Sequence, residues 1–191
     1  MATVKAYFLE TDRIGFRCWR KDDLPLAMEL WGDDQVTAMI GGPHTEERVC
    51  ARLEREIAQM SATGMQYWPI FLRDGDRFAG CVGLRLKTFD ATHRFLDGST
   101  KDRAMAGGAR IYELGFYLIR ACWGRGLALE AGRAAVDYGF AELGADAIFA
   151  GHHPKNEPSK RVLLRLGFEP AGEEFYAPNG VMEPTYLLWR R

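Results

Sequence analysis

The chain has 191 residues, 47% of them hydrophobic and 27% charged, with a formal net charge of −1. That length suits one well-buried domain, and the near-zero charge gives no electrostatic reason to expect nucleic acid or an anionic membrane as a partner. Its four cysteines (Cys18, Cys50, Cys81 and Cys122) lie far apart with no CxxC pair, so reduced thiols in a cytoplasmic setting are expected rather than a disulfide framework or a metal site.

The stretch Met1 to Ala6 contains no uninterrupted apolar core of a leader. No segment reaches the ~20 apolar residues of a membrane span. The first expected strand is Ile14 to Trp19, followed by a helix capped by Asp22 or Asp23 and carrying Leu26, Met28, Leu30 and Trp31. After the Gly41-Gly42-Pro43 break, Thr45 opens a second helix. Its apolar positions Val49, Leu53, Ile57 and Met60 fall at helical spacing. The polar face of that helix, with Arg52, Glu54, Arg55, Glu56 and Gln59, is expected to be solvated.

Tyr67 to Arg73 and Phe78 to Leu86 form a hairpin around Asp74-Gly75-Asp76. Residues 88–109 read as a long inserted loop, and loops of that length are often functional. With Phe89, Phe95 and Leu96 set among charges, this one is expected to cover a substrate site or make a homodimer contact. The strand Ile111 to Ile119 alternates clearly, and a helix from about Gly124 ends at Gly144. Its residues Gly132, Val136, Gly139 and Leu143 share a face that allows close approach to a sheet. Ala147 to Gly151 is a buried strand, Pro158 to Leu166 a helix stopped at Gly167, and two strands around 168–175 and 182–189 close the chain. This order predicts an α+β, or mixed α/β, single domain over residues 1–191.

The chemistry concentrates where the 111–119 strand turns through Gly124-Arg125-Gly126 into a helix. Unpaired amides and the dipole of a helix start attract anions, and glycines let a pyrophosphate come close. Position 129 is Leu, which breaks the Gly-x-Gly-x-x-Gly dinucleotide pattern, and no Gly-Lys-Ser/Thr of an NTP loop is present. Alone, the turn is equally consistent with a structural role.

Trp123-Gly124-Arg125-Gly126-Leu127-Ala128 together with Asn156-Glu157-Pro158-Ser159 and Leu166-Gly167-Phe168 resembles the GNAT superfamily of N-acetyltransferases, in particular its Rim-type branch. The opening Leu9 to Arg13 and Trp19 to Leu24, and the late Met182 to Tyr186, fit the same resemblance, which spans nearly the whole chain outside 88–109. It implies a central, mostly antiparallel twisted sheet flanked by helices, with acetyl-CoA as co-substrate and no metal. The acceptor would be a small-molecule amine or a protein N-terminus.

Residue by residue, the resemblance implies that the backbone of Leu118, Ile119 and Arg120 pairs with the pantetheine arm. An amide near Leu118 or Ile119 would face the thioester oxygen. Amides from Gly124 to Ala128 (Gly124, Arg125, Gly126, Leu127, Ala128) would hold the pyrophosphate, helped by the Arg125 side chain, and Asn156 would bind the arm or a water. Trp123 stands where the wider superfamily has Gln or Arg, and Leu163 where many members have a thiolate-protonating Tyr; Ser159 is the hydroxyl offered in its place. Glu113 is the expected general base, against a cross-strand ion-pair role. His152 and His153 are alternative bases by pKa, and Glu183 and Tyr186 are further acceptor-side residues. A non-catalytic acyl-CoA sensor on the same fold is the competing reading.

Overall fold

In the computed structural model, which describes residues 7–90 and 93–191, a nine-stranded sheet forms the centre. The Met1–Ala6 stretch read above for a leader lies outside the described residues. The described chain begins with a small antiparallel hairpin, β1 (Leu9–Glu10) and β2 (Ile14–Phe16), and three α-helices follow before the next strand. These are α1 (Leu24–Trp31), a four-residue α2 (Asp34–Thr37) and α3 (Glu46–Thr63), the last closed by Gly64 in the left-handed region that glycine adopts without strain. The hairpin β3 (Tyr67–Leu72) and β4 (Arg77–Leu86) follows, with β3 buried along its whole length.

Residues 88–109 do not form a structureless loop. They hold β5 (His93–Phe95) and α4 (Gly98–Ala104), whose first turn is capped by Asp97. Phe89 and Phe95 pack with Phe149, Ile111 and Leu187 in a second, small core. That burial gives the segment its structure, and none of its described residues reaches the cleft described below.

After β6 (Ile111–Leu118) come α5 (Leu127–Ala141), β7 (Ala147–Gly151), α6 (Glu157–Leu166), β8 (Glu169–Tyr176) and β9 (Val181–Trp189). The strand order is β1-β2-β3-β4-β6-β7-β9-β8-β5, antiparallel at every step except β6 to β7. The expected mixed α/β fold with a mostly antiparallel sheet is therefore what forms. α5 packs its small-residue face on the sheet: a Cβ on Gly139 would lie 2.9 Å from both Ile148 and Leu84. Trp19, Trp31 and Trp68 are core residues, with Trp31 and Trp68 fully buried.

The parallel pair determines where a ligand can enter. β6 and β7 are in register for three residues only, Ile111 with Ala147, Tyr112 with Ile148 and Glu113 with Phe149. β6 then runs on to Leu118, still paired with β4, and β7 to Gly151, still paired with β9, but the two no longer pair with each other, so the sheet opens between them from Leu114 outward.

Candidate active site

A cleft of about 1070 Å³ occupies this opening. Of the residues singled out in the sequence, Glu113, Leu118, Gly124 and Gly126 line it, as do Leu127, Ala128, Asn156 and Ser159. Ile119, Arg120 and Arg125 are not among its lining residues.

The backbone explains this division. The Ile119 N–H donates to the Ala79 carbonyl at 3.1 Å, and β4 pairs with that edge of β6 throughout. Because backbone groups alternate between the edges of a strand, Phe116 and Leu118 present their N–H groups on the opposite, open edge. Ile119 is thus not available to a ligand, whereas Leu118 is. The Leu118 carbonyl is itself held at 2.8 Å by the Trp123 indole N–H. Trp123 therefore steadies the end of the open strand. Arg120 donates to Asp33 at 2.7 Å, and Asp33 also caps α2, so this ion pair fixes the lip of the cleft that carries Val36 and Met39.

At the turn, Gly124 and Gly126 have φ of +71° and +75°, a region costly for side-chain-bearing residues. Nothing lies within 4 Å of where a Gly124 Cβ would be. Gly126 caps α5 without a side chain, so the first-turn amides receive no side-chain cap and remain available to an anion. The turn is anchored from the N-terminal hairpin. The Glu130 carboxylate accepts from Thr11 Oγ1 (2.5 Å), the Arg13 N–H (3.0 Å) and Arg13 Nε (2.6 Å), and Arg13 Nη1 donates to the Arg125 carbonyl at 3.0 Å. These bonds hold the Glu130 carboxyl below its ordinary pKa despite some burial.

On the α6 side, Asn156 Oδ1 accepts the Ser159 N–H at 3.1 Å as the helix cap. Among the described residues its amide NH₂ has no hydrogen-bond partner, and Asn156 lines the cleft. Leu163 is fully buried in the core. His152 is 5% exposed, bonded through Nδ1 to the His153 carbonyl (2.8 Å) and through Nε2 to the Tyr186 hydroxyl (3.2 Å). Burial holds its pKa below the ordinary value. His153 accepts the Lys155 N–H. His152 and Tyr186 are therefore bonded to each other, while among the described residues His153 is engaged through Nδ1 alone, and both histidines line the cleft.

The carboxylates differ in how far they are committed. Glu113 faces Arg85 across β4 and β6, but the Arg85 guanidinium pairs with Glu56, which is fully buried and also accepts the Tyr67 N–H. Among the described residues no hydrogen bond or ion pair holds the Glu113 carboxylate. Burial, chiefly, raises its pKa against the opposing pull of Lys87 and Arg85. Glu174 is held through both oxygens by Lys87 at 2.6 Å. Glu183 stands opposite Glu174 on β9, and burial first, then Glu113 and Glu174, raise its pKa to about 7. Its Oε2 would lie 3.8 Å from a Cβ on Gly151, which places the carboxylate at the end of β7 where the sheet opens.

Sequence reasoning missed the wall contributed by α3. Arg52, Arg55 and Gln59 line the cleft and Glu56 is in the core, so the face expected to be solvated stays exposed at Glu54 and Arg55 but also borders the cleft and the core. A helix lying over an open cleft is wetted on a face that still encloses a site, and polarity alone does not distinguish the two. Tyr67, Tyr117 and Tyr176 were missed as well. The period-two alternation of β6 places Tyr117 on the same face as Glu113 and was the available signal. Gly115 lies between them, and a Cβ there would come within 2.5 Å of the Tyr67 ring.

Known proteins point the same way. The acetyltransferase (GNAT) domain pattern matches residues 13–169. An uncharacterized N-acetyltransferase, p20 of Bacillus licheniformis, is 28% identical over 184 residues, covering 94% of this chain and 93% of its own. A GNAT-family acetyltransferase from Bacillus anthracis superposes with a TM-score of 0.74 at 22% identity, over 95% of this chain and 97% of that one. RimL, a ribosomal L7/L12 alpha-N-protein acetyltransferase solved in complex with coenzyme A, shares the fold with a TM-score of 0.72 at 12% identity, over 96% and 98% of the two chains. With most of its length matched by that pattern, the chain belongs to the GNAT family and is an acyl-CoA-dependent acetyltransferase.

Proposed function

We propose that the protein transfers an acetyl group from acetyl-CoA to a primary amine by direct attack within a ternary complex, and that residues 1–191 act as one catalytic domain. The observation that carries this reading is the three-residue β6–β7 pairing, which leaves an open strand edge leading to an uncapped helix start. The residues fit an acyl-CoA. The open-edge amides of Phe116 and Leu118 suit a pantetheine arm and a thioester oxygen, and the amides around Gly124 to Ala128 suit a pyrophosphate. The Asn156 amide group can steady the arm. Glu113 accepts the proton lost by the attacking amine, directly or through a water. As the C–N bond forms and the C–S bond breaks, the Ser159 hydroxyl donates to the leaving sulfur. The Trp123 to Ala128 and Asn156 to Ser159 motifs support a place in the Rim-type branch, and a small amine or a protein N-terminus as acceptor.

Gly124→Val should weaken acetyl-CoA binding by tenfold or more, because it puts a branched side chain in the cradle and forces a positive φ on it. Calorimetric titration with CoA reads this directly, and unchanged affinity would remove the cradle assignment. Acetyl transfer across an amine panel tests the reaction: tight CoA binding with no turnover on any amine would make the protein an acyl-CoA sensor instead.

The rate should also rise with pH through an apparent pKa near 7. In the folded state Glu183 keeps its proton up to about pH 7, whereas unfolded it ionises near 4.5. The fold therefore loses stability from this group as pH climbs between those values, while the uncommitted Glu113–Glu183 pair gains the charge needed to accept a proton. Glu183→Gln removes the like charge and should move the limb to lower pH, measured on an amine whose own pKa lies outside the window. An unmoved limb would separate Glu183 from the titration.

A further inference from the structure

The wall of the cleft carries opposite charges at its two ends. Arg52 lies with its guanidinium carbon 4.3 Å over the Trp31 ring and 4.9 Å over Tyr117. Contact with two rings restrains the guanidinium, whose N–H groups can pair with a planar anion. Its natural partner one turn along α3 is Glu56, but that carboxylate is turned into the core to Arg85 and the Tyr67 N–H. Among the described residues no carboxylate or carbonyl pairs with Arg52.

Tyr117 and Glu113 are four residues apart on the same face of β6, about 13 Å along the strand. At the Glu113 end sit two carboxylates without a cationic partner, Glu113 and Glu183. Thr185 lines the cleft there too, 1% exposed, with a hydroxyl that has no hydrogen-bond partner among the described residues. A buried polar group left unmade is costly unless a ligand completes it.

Building on the acyl-transfer reading, we propose that the acceptor is an amine that also carries a carboxylate, its nitrogen lodged between Glu113 and Glu183 and its carboxylate on the Arg52 guanidinium. The separation requires several bonds between the two groups, as in an ω-amino acid or a short peptide, and disfavours an α-amino acid. A diamine would meet Arg52 as a like charge.

The test compares 6-aminohexanoate and triglycine with hexylamine and triglycinamide, which lack the anion. The wild-type protein should prefer the carboxylates in kcat/KM by tenfold or more, and Arg52→Gln should cut that preference by 10- to 100-fold. Arg52→Lys should restore part of it, since a point charge replaces the fork. Calorimetric binding of 6-aminohexanoate, with and without CoA, reads the same contact without turnover. An unfolding curve for each variant separates a lost contact from a lost fold. Equal use of hexylamine, a preference unmoved by Arg52→Gln, or no binding of either carboxylate overturns the proposal. If CoA fails to bind while 6-aminohexanoate binds in an Arg52-dependent way, the acyl-transfer reading falls and the acceptor site stands.

Discussion

Glu113→Gln should lower kcat for acetyl transfer by about 10²- to 10⁴-fold, the usual range for removing a general base. The amide keeps the shape of the side chain but cannot take the proton. Position favours Glu113 over the other carboxylates. It ends the three-residue parallel pairing, at the point where the sheet opens, and its neighbours are already occupied: Arg85 with Glu56, Lys87 with Glu174. A cross-strand ion pair with Arg85 would make the same substitution a stability defect, but the geometry gives Arg85 to Glu56. The expected pattern is therefore a large fall in kcat with CoA affinity and unfolding midpoint nearly unchanged. Wild-type kcat in Glu113→Gln would transfer the role to Glu183, the only other cleft carboxylate among the described residues without a cation on it.

Asp23→Ala should cost about 3–5 kcal/mol of folding stability, the range for stripping one partner from a buried ion pair. Arg17 and Asp23 are 4% and 6% exposed, and the guanidinium meets both carboxylate oxygens, at 2.6 and 2.7 Å. Asp23 Oδ2 also accepts the Arg20 N–H at 2.8 Å, and Arg17 lies 4.5 Å over the Phe71 ring. The pair thus joins the strand β2, the start of α1 and the face of β3. Alanine leaves a charged guanidinium in the core with nothing opposite it. Against a typical net stability of about 5–15 kcal/mol, a loss of that size should be plain in the urea midpoint, with the m-value held. Replacing both partners, Arg17→Met with Asp23→Leu, should cost less than Asp23→Ala alone, because no charge is then stranded. A loss under 1 kcal/mol for Asp23→Ala would mean that water reaches Arg17.

The features legible in the sequence were those with local causes. The strand at Ala147 to Gly151 was read to the residue, and α6 to within one, because a Pro near its start and Gly167 at its end mark the boundaries chemically. The glycine turn and the Asn156–Ser159 segment were legible as motifs of the family, and the fold brings them to one cleft. What stayed hidden depends on tertiary contact. α2 has four residues, too few for any period to show. β5 and α4 owe their existence to aromatic rings that bury against β7. The polarity of α3 could not reveal that Glu56 sits in the core while Arg52 faces a cleft. Nor could the alternation of β6 show that Ile119, one residue past Leu118, directs its amide to β4 and away from the cleft.

The short β6–β7 register has a mechanical side. It divides the sheet into a raft of five strands and a raft of four, stitched by three rungs, with α5 packed across the seam. A donor lying along the open edge would continue the stitching where the protein leaves off. With such a donor bound, the two rafts would be joined along more than those three rungs, and the middle of the molecule would be stiffer for it.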